Sequence, residues 1–111
     1  MHIVDTLDTL KLLQTKAVVV LYGGASCGVC SALRPKIAEL LTSDFPQMHF
    51  AYVDCQGSAQ NLCAQHGVFS LPVVQIWFNN QKFAEFYQVF AMSQLREALA
   101  RPYALHFHTT P

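Results

Sequence analysis

Cys27 and Cys30, with Gly28 and Val29 between them, are the residues of this chain best placed by type and spacing to do chemistry. The thiolate, not the thiol, attacks disulfides. The pair follows an apolar run, Ala17 to Tyr22, that ends at Gly23-Gly24, and it opens a helical pattern. At such a junction the first sulfur meets unpaired backbone N–H groups and the positive end of a helix dipole, both of which favour the thiolate. Two intervening residues let the second sulfur close a small ring, so a mixed disulfide is resolved within the chain. Cys27 is thus the expected nucleophile and Cys30 the resolving thiol. The competing use of such a pair is a zinc site, which normally draws on a second close pair. Cys55 and Cys63 lack that spacing. The chemistry calls for no metal and no organic cofactor.

These thiols need a frame. His2 to Val4 reads as a short strand, and Asp5 as the N-cap of a helix carrying Leu7, Leu10, Leu12 and Leu13. Ala17 to Tyr22, β-branched and unbroken, reads as a central strand buried on both faces. A helix from the cysteines to about Thr42 would bury Leu33, Ile37, Leu40 and Leu41, with a kink at Pro35. Met48 to Asp54 is the next strand, and Ser58 to His66 a short helix closed by Gly67. Val73 to Phe78 and Lys82 to Phe90 form a hairpin turning at Asn79-Asn80-Gln81. Ser93 caps a last helix that Pro102 stops after Arg101. The order β-α-β-α-β-α-β-β-α predicts an α/β domain over residues 1–101, with helices on both faces of a central sheet, and a tail over 102–111.

With 111 residues there is room for one core. Seven basic residues balance seven acidic ones, which argues against nucleic acid as the partner, since phosphate binding needs a basic surplus. The longest apolar run is too short to cross a bilayer, so no membrane is expected. Met1-His2-Ile3-Val4-Asp5 is no basic-then-apolar leader, and four cysteines are too few for a disulfide scaffold. The expectation is a cytoplasmic protein whose cysteines serve redox chemistry.

From about Ile3 to Ala100 the chain resembles the thioredoxin superfamily. Pro35 stands eight residues after Cys27, where that family has its helix-kinking proline. Ser70-Leu71-Pro72 opens a strand where the family has its cis-proline. The resemblance implies a thioredoxin fold with a central mixed sheet, and a cis Leu71–Pro72 bond that turns the Leu71 backbone toward the sulfurs, where an extended substrate can pair with it. Val53-Asp54-Cys55, Leu62-Cys63 and Gly67-Val68 also look like the catalytic domains of protein disulfide isomerases. In those domains similarly placed cysteines can form a second disulfide. A sensor pair is the other active reading of Cys55 and Cys63, and two free thiols is the state expected in a reducing cytosol.

The departures from that family carry information. Ser26 replaces the tryptophan usual before the first cysteine and removes apolar docking surface. Val29 replaces a proline and so restores a backbone N–H near Cys27, which should stabilise its thiolate and make the pair more oxidising. Leu21 and Phe50 stand where the family buries a carboxylate and often a lysine, leaving Cys30 a poorly activated attacker. Phe90 replaces a glycine beside the substrate groove, and Leu71 before the proline reads as thioredoxin-like rather than glutaredoxin-like.

Other candidates have plainer uses. Asp54 reads as a turn acceptor and His66 as a helix C-cap. Trp77, Phe78, Phe83, Phe86 and Tyr87 read first as sheet packing, with some free to form a partner surface. His106 and His108 are weak evidence for a metal in a loosely ordered end.

Three functions are therefore carried forward. The first is a thiol–disulfide oxidoreductase passing electrons to or from protein substrates, with a reductase or oxidant to recycle it. The second is a non-catalytic binding or assembly module, and the third a redox sensor. A monomer or weak dimer suits each of them.

Overall fold

The strand Ala17–Gly23 has no exposed residue, as its unbroken apolar run demands. It lies at the centre of a computed structural model that describes residues 1–107. The elements are β1 (His2–Val4), α1 (Leu7–Gln14), β2 (Ala17–Gly23), α2 (Gly28–Asp44), β3 (His49–Asp54), α3 (Gln60–Gln65), β4 (Val73–Phe78), β5 (Gln81–Tyr87) and α4 (Met92–Phe107). The sheet order is β1-β3-β2-β4-β5. β1, β3 and β2 run parallel, β4 pairs antiparallel with β2, and β5 pairs antiparallel with β4. This is the mixed, helix-covered sheet of a thioredoxin fold.

Alternation along β2 splits the core in two. Val19 and Leu21 face α2 and α4, packing with Leu33, Ile37, Leu95, Leu99 and Tyr103. Val18, Val20 and Tyr22 face α1 and α3, packing with Leu10, Leu13, Leu62 and Cys63. Both clusters are needed to hold β2 still, and the dithiol hangs from its end. Among the described residues no helix is long and apolar enough to cross a membrane.

Several boundaries differ from expectation. Thr6, not Asp5, caps α1: its backbone is extended and its hydroxyl accepts the Thr9 N–H. Leu12 falls off the helical stripe and is exposed, while Gln14 is buried. α3 is shorter than expected, because Ser58 and Ala59 are spent in the turn that the Asp54 carbonyl closes on Ala59. β5 ends at Tyr87 rather than Phe90, since Gln88 has φ +55° and sends its N–H to the Pro72 carbonyl. The hairpin between β4 and β5 turns on Asn79 and Asn80, both at positive φ, which suits a two-residue turn.

The largest correction lies at the C-terminus. Pro102 does not stop α4, and residues 102–107 are helix rather than tail. Pro102 removes one helical N–H, but packing beyond it outweighs that loss. Tyr103 is buried edge-on against Phe45, and its hydroxyl accepts the Gln47 N–H. His106 packs on Phe78, and Phe107 on Tyr103. His108 lies outside the described residues.

Candidate functional site

β2 delivers the chain to Gly23, and the turn Gly24-Ala25-Ser26 passes it into α2. Cys27 is the N-cap. Its φ and ψ are −97° and 102°, and its sulfur accepts the Cys30 N–H at 3.2 Å. The sulfur therefore takes the place of a capping oxygen at the start of a 17-residue helix, at the positive end of the dipole. Cys27 is half-buried, Gly28 and Val29 are exposed, and Cys30 is 1% exposed. The two are bridged with Cα atoms 5.2 Å apart. One sulfur faces outward and the other is shielded.

Gly23 and Gly24 are there for closeness. A Cβ on Gly23 would stand 3.1 Å from the Cys30 Cβ and 3.0 Å from the Tyr52 ring. One on Gly24 would run into the Gln56 side chain. The Arg34 guanidinium lies 4.1 Å from the centre of the Tyr52 ring. Burial and the Asp54 charge push the Tyr52 hydroxyl above its ordinary pKa of 10.0, against the pull of Arg34.

The register Tyr22↔Val73 continues to set Pro72 beside Gly23, so the start of β4 and the dithiol share one end of the sheet. The Leu71–Pro72 peptide is cis, with Pro72 buried and Leu71 half-buried. Leu21 is fully buried on the α2 side, and Phe50 nearly so. Ser26 is exposed. Phe90 is half-buried and stacks on Phe86, 5.0 Å between ring centres, against the α2-side cluster.

Two residues near the site behave differently from expectation. Cys55 and Cys63 are not free thiols: they are bridged, Cα to Cα 5.5 Å. The free-thiol expectation came from compartment, whereas the bridge comes from the fold: the turn after β3 folds α3 back until Cys63 lies within bonding distance of Cys55. Gln56 carried no signal in the sequence, being one polar residue in a turn. Its Oε1 accepts the Ser26 N–H at 2.7 Å, next to the nucleophile. Asp54 acts as the turn acceptor expected of it, its Oδ1 taking the Gln56 N–H. His66 is a C-cap through its backbone, with Gly67 following at φ +69°. Phe83 and Tyr87 are half-exposed or more, whereas Phe78 is core.

The thioredoxin family model matches residues 5–101. A thioredoxin from Acetoanaerobium sticklandii is 30% identical over 99 residues, covering 89% of this chain and 93% of the relative. Thioredoxin-like 3-2, chloroplastic, from Arabidopsis thaliana is 33% identical over 70 residues, 63% of this chain. The match spans only 36% of that relative's length. Among solved structures, oxidized thioredoxin O2 from Arabidopsis thaliana superposes with a TM-score of 0.76 at 21% identity, covering 92% of this chain and 93% of that one. Fasciola hepatica thioredoxin gives 0.75 at 24% identity, covering 91% and 98%.

Proposed function

The chain belongs to the thioredoxin family, and from that premise we propose that it exchanges disulfides with protein substrates through Cys27 and Cys30. One observation carries the reading: the half-buried Cys27 sulfur caps α2 and receives the Cys30 N–H, while Cys30 itself is shielded. The outward sulfur is the one set up to be a thiolate.

In the reducing direction the Cys27 thiolate attacks one sulfur of a substrate disulfide. That S–S bond breaks, a Cys27–substrate bond forms, and the first substrate thiolate leaves and takes a proton. Cys30 loses its proton to water and attacks the Cys27 sulfur. The Cys27–Cys30 bond forms, and the second substrate thiolate leaves. Two electrons have passed from the dithiol to the substrate, and the oxidising direction is the reverse. A reductase or an oxidant must then recycle the pair. Leu71 and Pro72 hold the substrate chain at the shared end of the sheet. Ser26, Gly28, Val29 and Phe90 shape the rim. A cytoplasmic place of work, as a monomer or weak dimer, belongs to this proposal.

Val29 in place of a proline leaves the first turn of α2 with its full set of N–H donors beside the Cys27 sulfur, which favours the reduced pair and raises its potential. Leu21 offers no proton acceptor behind Cys30, so mixed disulfides are resolved slowly. The test is the equilibrium potential of Cys27–Cys30 in thiol buffers, read by alkylation. We expect a value between roughly −120 and −200 mV, lowered by Val29→Pro, whereas one near about −270 mV refutes the part given to Val29. Failure to form a reversible disulfide returns the chain to the binding-module reading, which the exposed Phe69 and Val89 would then serve.

A further inference from the structure

We propose that Gln56 is a positioning residue for Cys27, and that the Cys55–Cys63 bridge holds it in place, so that the second cysteine pair sets the reactivity of the first. The inference rests on the reading of Cys27 as the attacking thiol.

Four observations converge on one turn. The Gln56 Oε1 accepts the Ser26 N–H at 2.7 Å, one residue before the nucleophile. Gly24 has no Cβ where the Gln56 side chain passes, so the turn is shaped around that side chain. The Cys55 N–H donates to the Gly23 carbonyl at 2.8 Å, which ties the base of the same turn to the end of β2. The Cys55–Cys63 bridge then fixes Cys55 to α3, where Cys63 is 2% exposed within the α1-side core. Gln56 thus extends from a strut with one end in the core and grips the loop that aims the Cys27 sulfur.

The direction of the effect follows from the cap. With Ser26 held, the Cys27 sulfur stays over the start of α2 and keeps the Cys30 N–H. When the grip is lost the loop samples arrangements in which that donor and the dipole no longer reach the sulfur, and the thiolate loses their support. Opening the bridge has a defined chemistry. A dithiol donor gives two electrons and two protons, the Cys55–Cys63 bond breaks, two thiols form, and the donor closes to its own disulfide. Cys55 is half-buried and Cys63 shielded, so Cys55 is the sulfur that such a donor attacks. A groove of about 260 Å³ lined by Cys55, Cys63, Phe69 and Leu71 gives the approach.

The experiment uses Cys30→Ser protein, in which the substituted serine keeps the backbone N–H and Cys27 stands alone. Alkylation of Cys27 by iodoacetamide is followed by mass across pH, with the second bridge closed and, separately, opened by a dithiol that is removed before labelling. The same is done with Gln56→Met, which keeps the side chain's length and loses its acceptor. The closed parent is expected to label fastest near neutral pH. Opening the bridge or replacing Gln56 should each slow labelling there by about threefold to tenfold and move the pH midpoint upward, the size expected for up to one pKa unit. The two changes together should do no more than either alone, because they act through one contact. Equal midpoints in all forms overturn the proposal. So does a shift with Gln56→Met that opening the bridge fails to reproduce. No substrate is involved, so a failure of the oxidoreductase reading appears in the exchange assay and not here.

Discussion

The two sides of the sheet each carry one cysteine pair, and they surround it differently. On the α2 side Leu21, Phe50 and Val74 pack in one cluster with no ionisable group among its fully buried members; its two tyrosines, Tyr52 beside Cys30 and Tyr103, each keep 7% exposure. On the α3 side Cys63 shares its cluster with Tyr22, whose hydroxyl opens a polar chain. Tyr22 donates to the Gln75 Oε1 at 3.3 Å, Trp77 donates to the same oxygen at 3.0 Å, and the Gln75 amide reaches Glu85 at 2.6 Å. Burial works against the Glu85 carboxylate, but bonds from Tyr87, Gln75 and Lys82 outweigh it and hold the group below its ordinary pKa. The contrast separates two tasks. On the reading proposed above, the pair that reacts takes its polarity from backbone N–H groups at a helix end, and the pair that braces lies beside side-chain polarity the chemistry does not use.

The sharpest break is Cys27→Ser. If the α2 side alone carries the chemistry, exchange with a protein disulfide should fall by about a thousandfold or more, because no other thiolate is presented at a helix start. Cys63→Ser should stay within about tenfold of the parent. Equal losses in the two variants, measured as turnover of a protein disulfide, would mean that the second pair exchanges electrons itself.

The next break adds to the α2 side what it lacks. Leu21→Asp places a carboxylate in a site that is fully buried. The group will favour its neutral form there, and the fold should lose about 3 kcal/mol, measured by urea titration. In return, above the raised pKa of the buried group the ionised carboxylate gives Cys30 a proton acceptor, and decay of the Cys27–substrate mixed disulfide should quicken there by about tenfold or more, with no gain at lower pH where the group is neutral. Unchanged decay above that pKa would show that resolution does not wait on the Cys30 proton.

How these regions could be seen in advance differs for a physical reason. β2, α2 and the dithiol were legible because strand burial, helix periodicity and thiol spacing are local patterns in the chain. The Asn79-Asn80 turn was legible because few residues tolerate its positive φ. The run of α4 past Pro102 was not, since it depends on Tyr103 meeting Phe45 and the Gln47 N–H from a distant loop. Gln56 was invisible for the same reason. Its partner, Ser26, is thirty residues away and contributes only a backbone N–H, which every residue but proline has.

The smallest effect probes the polar chain on the α3 side. Burial, and then the charge of Glu85, push the Tyr22 hydroxyl from 10.0 up to about 12. The unfolded chain therefore releases this proton near pH 10, while the folded protein keeps it until about pH 12. A group whose folded pKa is raised stabilises fully below its unfolded value and loses that contribution as pH climbs through the folded one. The parent should accordingly lose about 2–3 kcal/mol across that window on account of Tyr22. Tyr22→Phe has no such proton to hold. At neutral pH it should cost under about 1 kcal/mol, because the Gln75 oxygen still accepts from Trp77 and is not left bare. Above pH 10 its stability should meet and then pass that of the parent. Tyr52 and Tyr87, also raised, are present in both proteins, so the difference between the two urea titrations isolates Tyr22. Curves that stay parallel to pH 12 would mean that water reaches this hydroxyl, and that the α3 side is no better sealed than the end of the sheet where Cys27 reacts.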